Sequence, residues 1–135
     1  MERLSERLAV ARKALATLVE AIRERKTPLN RDASIQRFQY TYETVWKTAQ
    51  NYLNVVEQLT LGSPSAVIRG CFQAQLLDEE QARAAMRMAQ DRNLTVHTYN
   101  EALAEEIYAR LPAHAQLMEE WLKAMDARMP PRRAV

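Results

Sequence analysis

Apolar residues recur at alternating spacings of three and four along most of the chain. In the first 26 residues they form one stripe: Leu4, Leu8, Ala11, Leu15, Leu18 and Ile22. Such spacing places side chains on one face of an α-helix, so the sequence predicts a helix from about Glu2 to about Lys26. After a break at Pro28 and Asn30, a second stripe predicts a second long helix: Ile35, Phe38, Tyr42, Val45, Ala49, Tyr52 and Val56. We expect the two stripes to face each other in an antiparallel pair.

Capping residues divide the next part of the chain into shorter helices. Gly62 predicts the end of the second helix, and Ser63 followed by Pro64 predicts the start of a third, because a serine N-cap before proline is typical of helix N-termini. Asp78 with Gln81 resembles a capping box and predicts a fourth helix. The expected buried face of the third helix consists of Val67, Ile68, Cys71 and Phe72.

The last helical region contains a proline. A capping box of Thr98 and Glu101 predicts its start, and we expect Pro112 to kink or break it, because proline has no backbone N–H and its ring clashes with the preceding turn. Two glycines and five prolines are few for a sheet protein. The sequence therefore predicts an all-α fold, an antiparallel up-and-down bundle of five to six helices. We expect one domain over residues 1–129 and a flexible tail over 130–135.

Composition excludes several classes of protein. No apolar stretch approaches the roughly 20 residues that span a bilayer, and Glu2 and Arg3 lie where a signal peptide would become apolar. The net charge of +2 is too small to indicate nucleic-acid binding by itself. Cys71 is the only cysteine, and His97 and His114 are far apart, so neither a disulfide nor a zinc site is expected. We expect a cytoplasmic protein with no metal and no cofactor.

Candidate chemistry is concentrated in the polar segment 91–100, between the fourth and fifth predicted helices. Arg92 can bind a phosphate through two donors, and His97 is the side-chain type best suited to proton transfer near neutral pH. Together they indicate metal-independent phosphodiester chemistry. The residues alone also allow a purely structural interpretation, in which Arg92 and Asn93 end one helix and His97 begins the next. Asp91 opposes the helix dipole, so we expect it to pair with a cation such as Arg92.

The segment resembles the R-x4–6-H motif of the HEPN superfamily, here extended to R-x4-H-x-Y by Arg92, His97 and Tyr99. Other parts of the chain match as well: residues 31–38, 42–43, 46–47, 63–64 and 67–69. Around the motif itself, residues 91–95 and 97–99 match. In this order and spacing they resemble the bacterial nucleotidyltransferase substrate-binding protein family, a branch of HEPN proteins, over about Arg31 to Tyr108.

The resemblance implies a homodimer or higher homo-oligomer that binds a minimal nucleotidyltransferase of the MNT type encoded nearby, in a toxin–antitoxin-like pair. It implies a metal-independent endoribonuclease in which Arg92 and His97 are catalytic and Asn93 and Asp91 support them. It also implies that Tyr99 is the residue to which the transferase adds AMP. The alternative is a subunit that binds RNA or a nucleotide for the transferase and has no chemistry of its own.

Three aromatic residues of the second predicted helix allow two interpretations. Phe38, Tyr42 and Trp46 are four residues apart, a spacing that suits both a surface that stacks nucleobases and a core stripe. We expect core packing, with Glu43 and Lys47 forming an i,i+4 ion pair beside it.

Overall fold

The computed structural model describes residues 2–129, so the expected tail over 130–135 lies outside the described residues. Within 2–129 there are five α-helices and no β-strand: α1 (Glu2–Arg23), α2 (Pro28–Val56), α3 (Pro64–Gln73), α4 (Glu79–Leu94) and α5 (Glu101–Arg128). A 3-10 turn over Thr95–His97 follows α4 directly. The predicted all-α helical bundle is confirmed. None of the helices in this range is long and apolar enough to cross a membrane.

Helices α1 and α2 form the predicted antiparallel hairpin. The Thr41 hydroxyl donates to the Ala14 carbonyl at 3.1 Å and the Arg37 guanidinium donates to the Thr17 carbonyl at 2.7 Å, so residue numbers rise on one helix as they fall on the other. Helix α5 packs against both members of this hairpin, while α3 packs on α2 and α4, and α4 packs on α5. The largest fully buried side chains come from all five helices and include Trp121, Tyr52, Phe38, Ile68 and Met88.

Several helix starts follow the capping residues. The Ser63 hydroxyl accepts from the backbone N–H of Ala66, and Asp78 and Gln81 form both hydrogen bonds of a capping box. These two predictions are confirmed. Helix α2 starts earlier than its apolar stripe indicates, because the Thr27 side chain caps it and Pro28 is its first residue.

Other boundaries differ from the expectations. Helix α2 ends at Val56, six residues before Gly62, and the chain turns at Gln58, which has a left-handed φ of 59°. Phe72 was expected to be buried but is 44% exposed. Asn100, not Thr98, caps α5 by accepting from the backbone N–H of Leu103. The Thr98 hydroxyl instead donates to the Thr95 carbonyl, inside the 3-10 turn.

The expectation that Pro112 breaks the last helix is wrong. Helix α5 continues from Glu101 to Arg128 with Pro112 on its exposed face. Beyond the proline, Met118, Trp121 and Leu122 are buried in the core. Burial of this apolar stripe outweighs the cost of one missing backbone hydrogen bond.

An arginine of α2 fixes the start of α5. The Arg31 side chain is only 4% exposed, and its Nη1 lies 2.7 Å from the Glu101 carboxylate and 3.0 Å from the Glu105 carboxylate. Its Nε lies 2.9 Å from Asp32. Hydrogen bonds to these three carboxylates raise the pKa of Arg31, so the charge is held permanently. The contacts anchor the helix that immediately follows the polar segment 91–100.

Candidate functional site at the junction of α4 and α5

The polar segment forms the last turn of α4 and the 3-10 turn after it. Thr95 holds this junction together, since its hydroxyl donates to the Arg92 carbonyl at 2.6 Å and its carbonyl accepts from the Thr98 hydroxyl at 3.0 Å. Thr95 itself is buried. The chain therefore passes from α4 into the 3-10 turn, and His97, five residues after Arg92, lies on the surface.

Arg92 extends from the last turn of α4 towards α2, and its side chain is 27% exposed. Its Nε is 3.4 Å from the Glu43 carboxylate and its Nη1 is 3.4 Å from the Thr95 hydroxyl. The same carboxylate accepts a hydrogen bond from the Trp46 indole at 3.2 Å and lies 3.9 Å from the Lys47 ammonium. The predicted Glu43–Lys47 pair is confirmed, whereas the contact of Glu43 with Arg92 crosses between helices and was not predicted.

His97 and Tyr99 lie together on the exposed side of the junction. Tyr99 is 83% exposed. Its hydroxyl is 3.5 Å from His97 Nδ1, and the two rings meet edge to face with centroids 6.0 Å apart. Asn93 is also exposed, one residue after Arg92. The structure thus places Arg92, Asn93, His97 and Tyr99 at one end of α4, although no hydrogen bond joins Arg92 to His97 within residues 2–129.

Asp91 does not pair with Arg92, contrary to the expectation. Its buried carboxylate faces α5, where Arg110 donates to it through Nε at 2.7 Å and Nη2 at 2.8 Å. His114 Nε2 lies 2.7 Å from the same carboxylate. Burial favours the protonated acid, but the hydrogen bonds from Arg110 and His114 outweigh it and lower the pKa of Asp91. Asp91 therefore joins α4 to α5.

His114 is a buried partner that the sequence did not reveal. Its ring stacks on Phe38, with centroids 5.3 Å apart and planes inclined by 21°. Burial lowers the pKa of His114, so the neutral imidazole is favoured. The only signal in the sequence is the i,i+4 spacing of Arg110 and His114, which places both on the face of α5 that meets α4.

The aromatic residues of α2 belong to the core. Phe38, Tyr42 and Trp46 are 0%, 2% and 9% exposed, which confirms the packing interpretation and leaves no open stacking surface there. Burial raises the pKa of Tyr42 to about 12. Cys71 is also buried, and burial raises the pKa of its thiol to about 12. Over residues 2–129, no three His, Cys, Asp or Glu side chains cluster as metal ligands would.

Another surface groove lies between α1 and α5. It encloses about 790 Å³ and has an apolar floor that includes Leu15, Val19 and Leu122. No residue of the R-x4-H-x-Y motif lines it.

Comparison with models of protein families identifies the family of this chain. Residues 6–127 match the model of the family described as "nucleotidyltransferase substrate binding protein like". The chain belongs to this family. A Thermus thermophilus protein of known structure is 52% identical, with a TM-score of 0.83 over 85% of this chain and 98% of the other. No curated protein sequence is significantly similar.

Two more distant structures share the family fold. A Haemophilus influenzae protein, reported as a substrate binding domain of a nucleotidyltransferase, is 16% identical with a TM-score of 0.70, over 88% of this chain and 98% of the other. A toxin–antitoxin with AMP-PNP contains a chain that is 12% identical, also with a TM-score of 0.70, over 90% of this chain and 96% of that chain. At these identities the likeness shows the fold alone.

Proposed function

We propose that this chain is the HEPN-type subunit of a two-protein toxin–antitoxin-like system and binds a nucleotidyltransferase partner. The family match over residues 6–127 supports this proposal. The two distant structures support it further, because one is a nucleotidyltransferase substrate binding domain and the other belongs to a toxin–antitoxin.

For the chemistry of this subunit we propose a metal-independent endoribonuclease with Arg92 and His97 as catalytic residues. The observation that carries the proposal is their position at one junction, with His97 exposed and Arg92 partly exposed beside it. In the reaction, a ribose 2′-oxygen loses its proton and attacks the adjacent phosphorus, and the bond from phosphorus to the 5′-oxygen breaks. The 5′-oxygen takes a proton as it leaves. His97 exchanges these protons, and Arg92 stabilises the negative charge on the phosphorus centre, assisted by Asn93.

The junction of a single chain offers one histidine, His97, whereas the reaction uses a base at the 2′-oxygen and an acid at the 5′-oxygen. A homodimer that brings two junctions together supplies a second His97 and a second Arg92, and encloses an RNA strand that the open surface of one chain cannot. Asp91 takes part indirectly: its bonds to α5 fix the turn of α4 that carries Arg92.

Tyr99 is the site at which we propose that the transferase inhibits the nuclease. Its exposed hydroxyl attacks the α-phosphorus of ATP, and pyrophosphate leaves. The product carries a bulky phosphodiester anion two residues from His97. That anion blocks the junction and repels an RNA phosphate.

One observation favours a second function, that of a non-catalytic substrate-binding subunit. Arg92 Nε lies 3.4 Å from the Glu43 carboxylate without a hydrogen bond, so part of its charge is already balanced by α2. A subunit of this kind binds a nucleotide or RNA for the transferase without cleaving it.

A cleavage assay with purified protein and RNA, in the presence of a metal chelator, separates the two functions. We expect the unmodified chain to cut RNA, and His97→Ala and Arg92→Ala to lower the rate by about 100-fold or more, the usual effect of losing a general acid–base or a charge-stabilising group. Arg83→Ala is the matched control, because Arg83 is an exposed arginine of the same helix that pairs with Glu79. A folded oligomer that leaves tRNA and mRNA intact would exclude the nuclease and leave the substrate-binding function.

A further inference from the structure

A second cavity, separate from the R-x4-H-x-Y surface, opens between α4 and α5. It encloses about 430 Å³. Its lining includes the polar or charged side chains of Asp91, His114, Arg110 and Arg87. Apolar side chains line it as well, among them Leu94 and Leu117. The volume lies in the range of small-ligand sites, roughly 300–1,000 Å³. Arg92 does not line it, because Arg92 turns towards α2.

The charges in this cavity favour an anion. The Asp91 carboxylate already accepts three hydrogen bonds, from Arg110 and His114. The Arg110 side chain is 46% exposed and uses Nε and Nη2 for Asp91, and its Nη1 forms no hydrogen bond within residues 2–129. Arg87 is exposed and forms no ion pair with any residue in 2–129. Two guanidinium groups therefore line the cavity, against one carboxylate that already accepts three hydrogen bonds within the protein.

The lowered pKa of His114 agrees with this distribution of charge in the cavity. Burial is the main reason why the pKa of His114 is lowered, and the positive charges of Arg110 and Arg87 lower it further despite the hydrogen bond to Asp91. Both arginine charges thus act on the floor of the same cavity. A phosphate bound there accepts charge-assisted hydrogen bonds from these guanidinium groups.

We propose that the cavity between α4 and α5 binds a phosphate-bearing ligand of mononucleotide size. In this proposal the phosphate binds Arg87 and Arg110, and the base or sugar packs on the apolar lining residues Leu94 and Leu117. That the ligand is a nucleotide rests on the proposed partnership with a nucleotidyltransferase, whereas its phosphate follows from the cavity itself. The cavity lies beside the junction, since Leu94 is the last residue of α4 and Thr95 begins the 3-10 turn.

Calorimetric titration of the purified chain with AMP, ATP, adenosine and inorganic phosphate tests the proposal. We expect AMP and ATP to bind, adenosine and phosphate to bind at least tenfold more weakly, and Arg87→Ala to weaken AMP binding at least tenfold. Arg87→Lys should restore part of the loss. Arg83→Ala, one turn earlier on α4 and already paired with Glu79, should bind AMP like the unmodified chain.

The NMR signals of the two histidines test independently where the ligand binds. In a proton–nitrogen NMR spectrum, AMP should move the ring signals of His114 and leave those of His97 in place. Equal AMP affinity for Arg87→Ala and the unmodified chain, no detectable binding of AMP, or a shift at His97 alone would each overturn the proposal. Cleavage of RNA measured on Arg87→Ala tests the proposed nuclease separately, because Arg87 is not part of the Arg92 and His97 site.

Discussion

Asp91 and Arg92 are adjacent in the sequence but contact different helices. Asp91 binds Arg110 and His114 on α5, and Arg92 contacts Glu43 on α2. The sequence showed correctly that a carboxylate in the last turn of a helix needs a cationic partner. It could not identify that partner, because Arg110 is 19 residues away and reaches Asp91 only through the packing of α4 against α5.

The pair of Asp91 and His114 predicts how stability depends on pH. The pKa of His114 is lower in the folded protein than its usual 6.5. As the pH falls below 6.5, the unfolded chain therefore takes up a proton on His114 more readily than the folded protein does. The contribution of His114 is therefore complete above that pH and is lost on acidification. Asp91 acts in the same direction but only below its usual 3.8, because its folded pKa is also lowered.

Urea unfolding at a series of pH values from about 7.5 to about 5 measures this effect. We expect the free energy of unfolding to fall across the range, and His114→Gln, which keeps a donor for Asp91, to flatten the fall. His97→Gln is the control, since His97 is exposed. A decline that His114→Gln leaves unchanged would contradict the assignment.

At the scale of a helix, α5 shows how packing overrides a local signal. A proline inside a helix costs about 3 kcal/mol relative to alanine. The sequence correctly identified the cost but could not weigh it against the buried residues on both sides of Pro112. Those residues, from Ile107 to Met125, are buried, and α5 packs against both helices of the α1–α2 hairpin as well as against α4.

Pro112→Ala should therefore stabilise the protein. Alanine supplies the missing backbone N–H at an exposed position, and we expect the free energy of unfolding to rise by roughly 1–3 kcal/mol. Ala109→Gly, at another exposed position of α5, is the control and should lower it by about 1 kcal/mol. Both are measured by denaturant unfolding. A loss of stability in Pro112→Ala would show that the packing of α5 requires the geometry that proline imposes.

For the whole molecule, periodicity and caps were sufficient to predict a bundle of five to six helices, the α1–α2 hairpin and most helix starts. They could not place α3 and α4 on the hairpin, because such contacts depend on side chains distant in sequence. The end of α2 was missed for a local reason: Gln58 adopts a left-handed φ that usually favours glycine. The candidate site residues were gathered at one junction, but their partners Glu43, Arg110 and His114 became visible only in three dimensions.

The proposed pair of proteins makes a prediction about the exposed Tyr99. Incubation with the nucleotidyltransferase from the neighbouring gene and ATP should add one AMP group per chain and reduce RNA cleavage to background. Tyr99→Phe should cleave RNA normally and resist this inhibition, because it lacks the acceptor hydroxyl. Tyr40→Phe, another exposed tyrosine, is the control. Mass spectrometry that finds AMP on a residue other than Tyr99 would contradict the proposal.

The division between Asp91 and Arg92 also has a consequence for evolution. Loss of Asp91 leaves buried His114 without its partner, so selection for a stable fold alone is enough to retain it. His97 is exposed, and the contact of Arg92 with Glu43 lacks a hydrogen bond, so both are subject chiefly to selection on what the surface does. We therefore expect descendants that have lost the surface chemistry to keep Asp91 and to vary at Arg92 and His97. The pattern of substitution in homologues then records which members remain active.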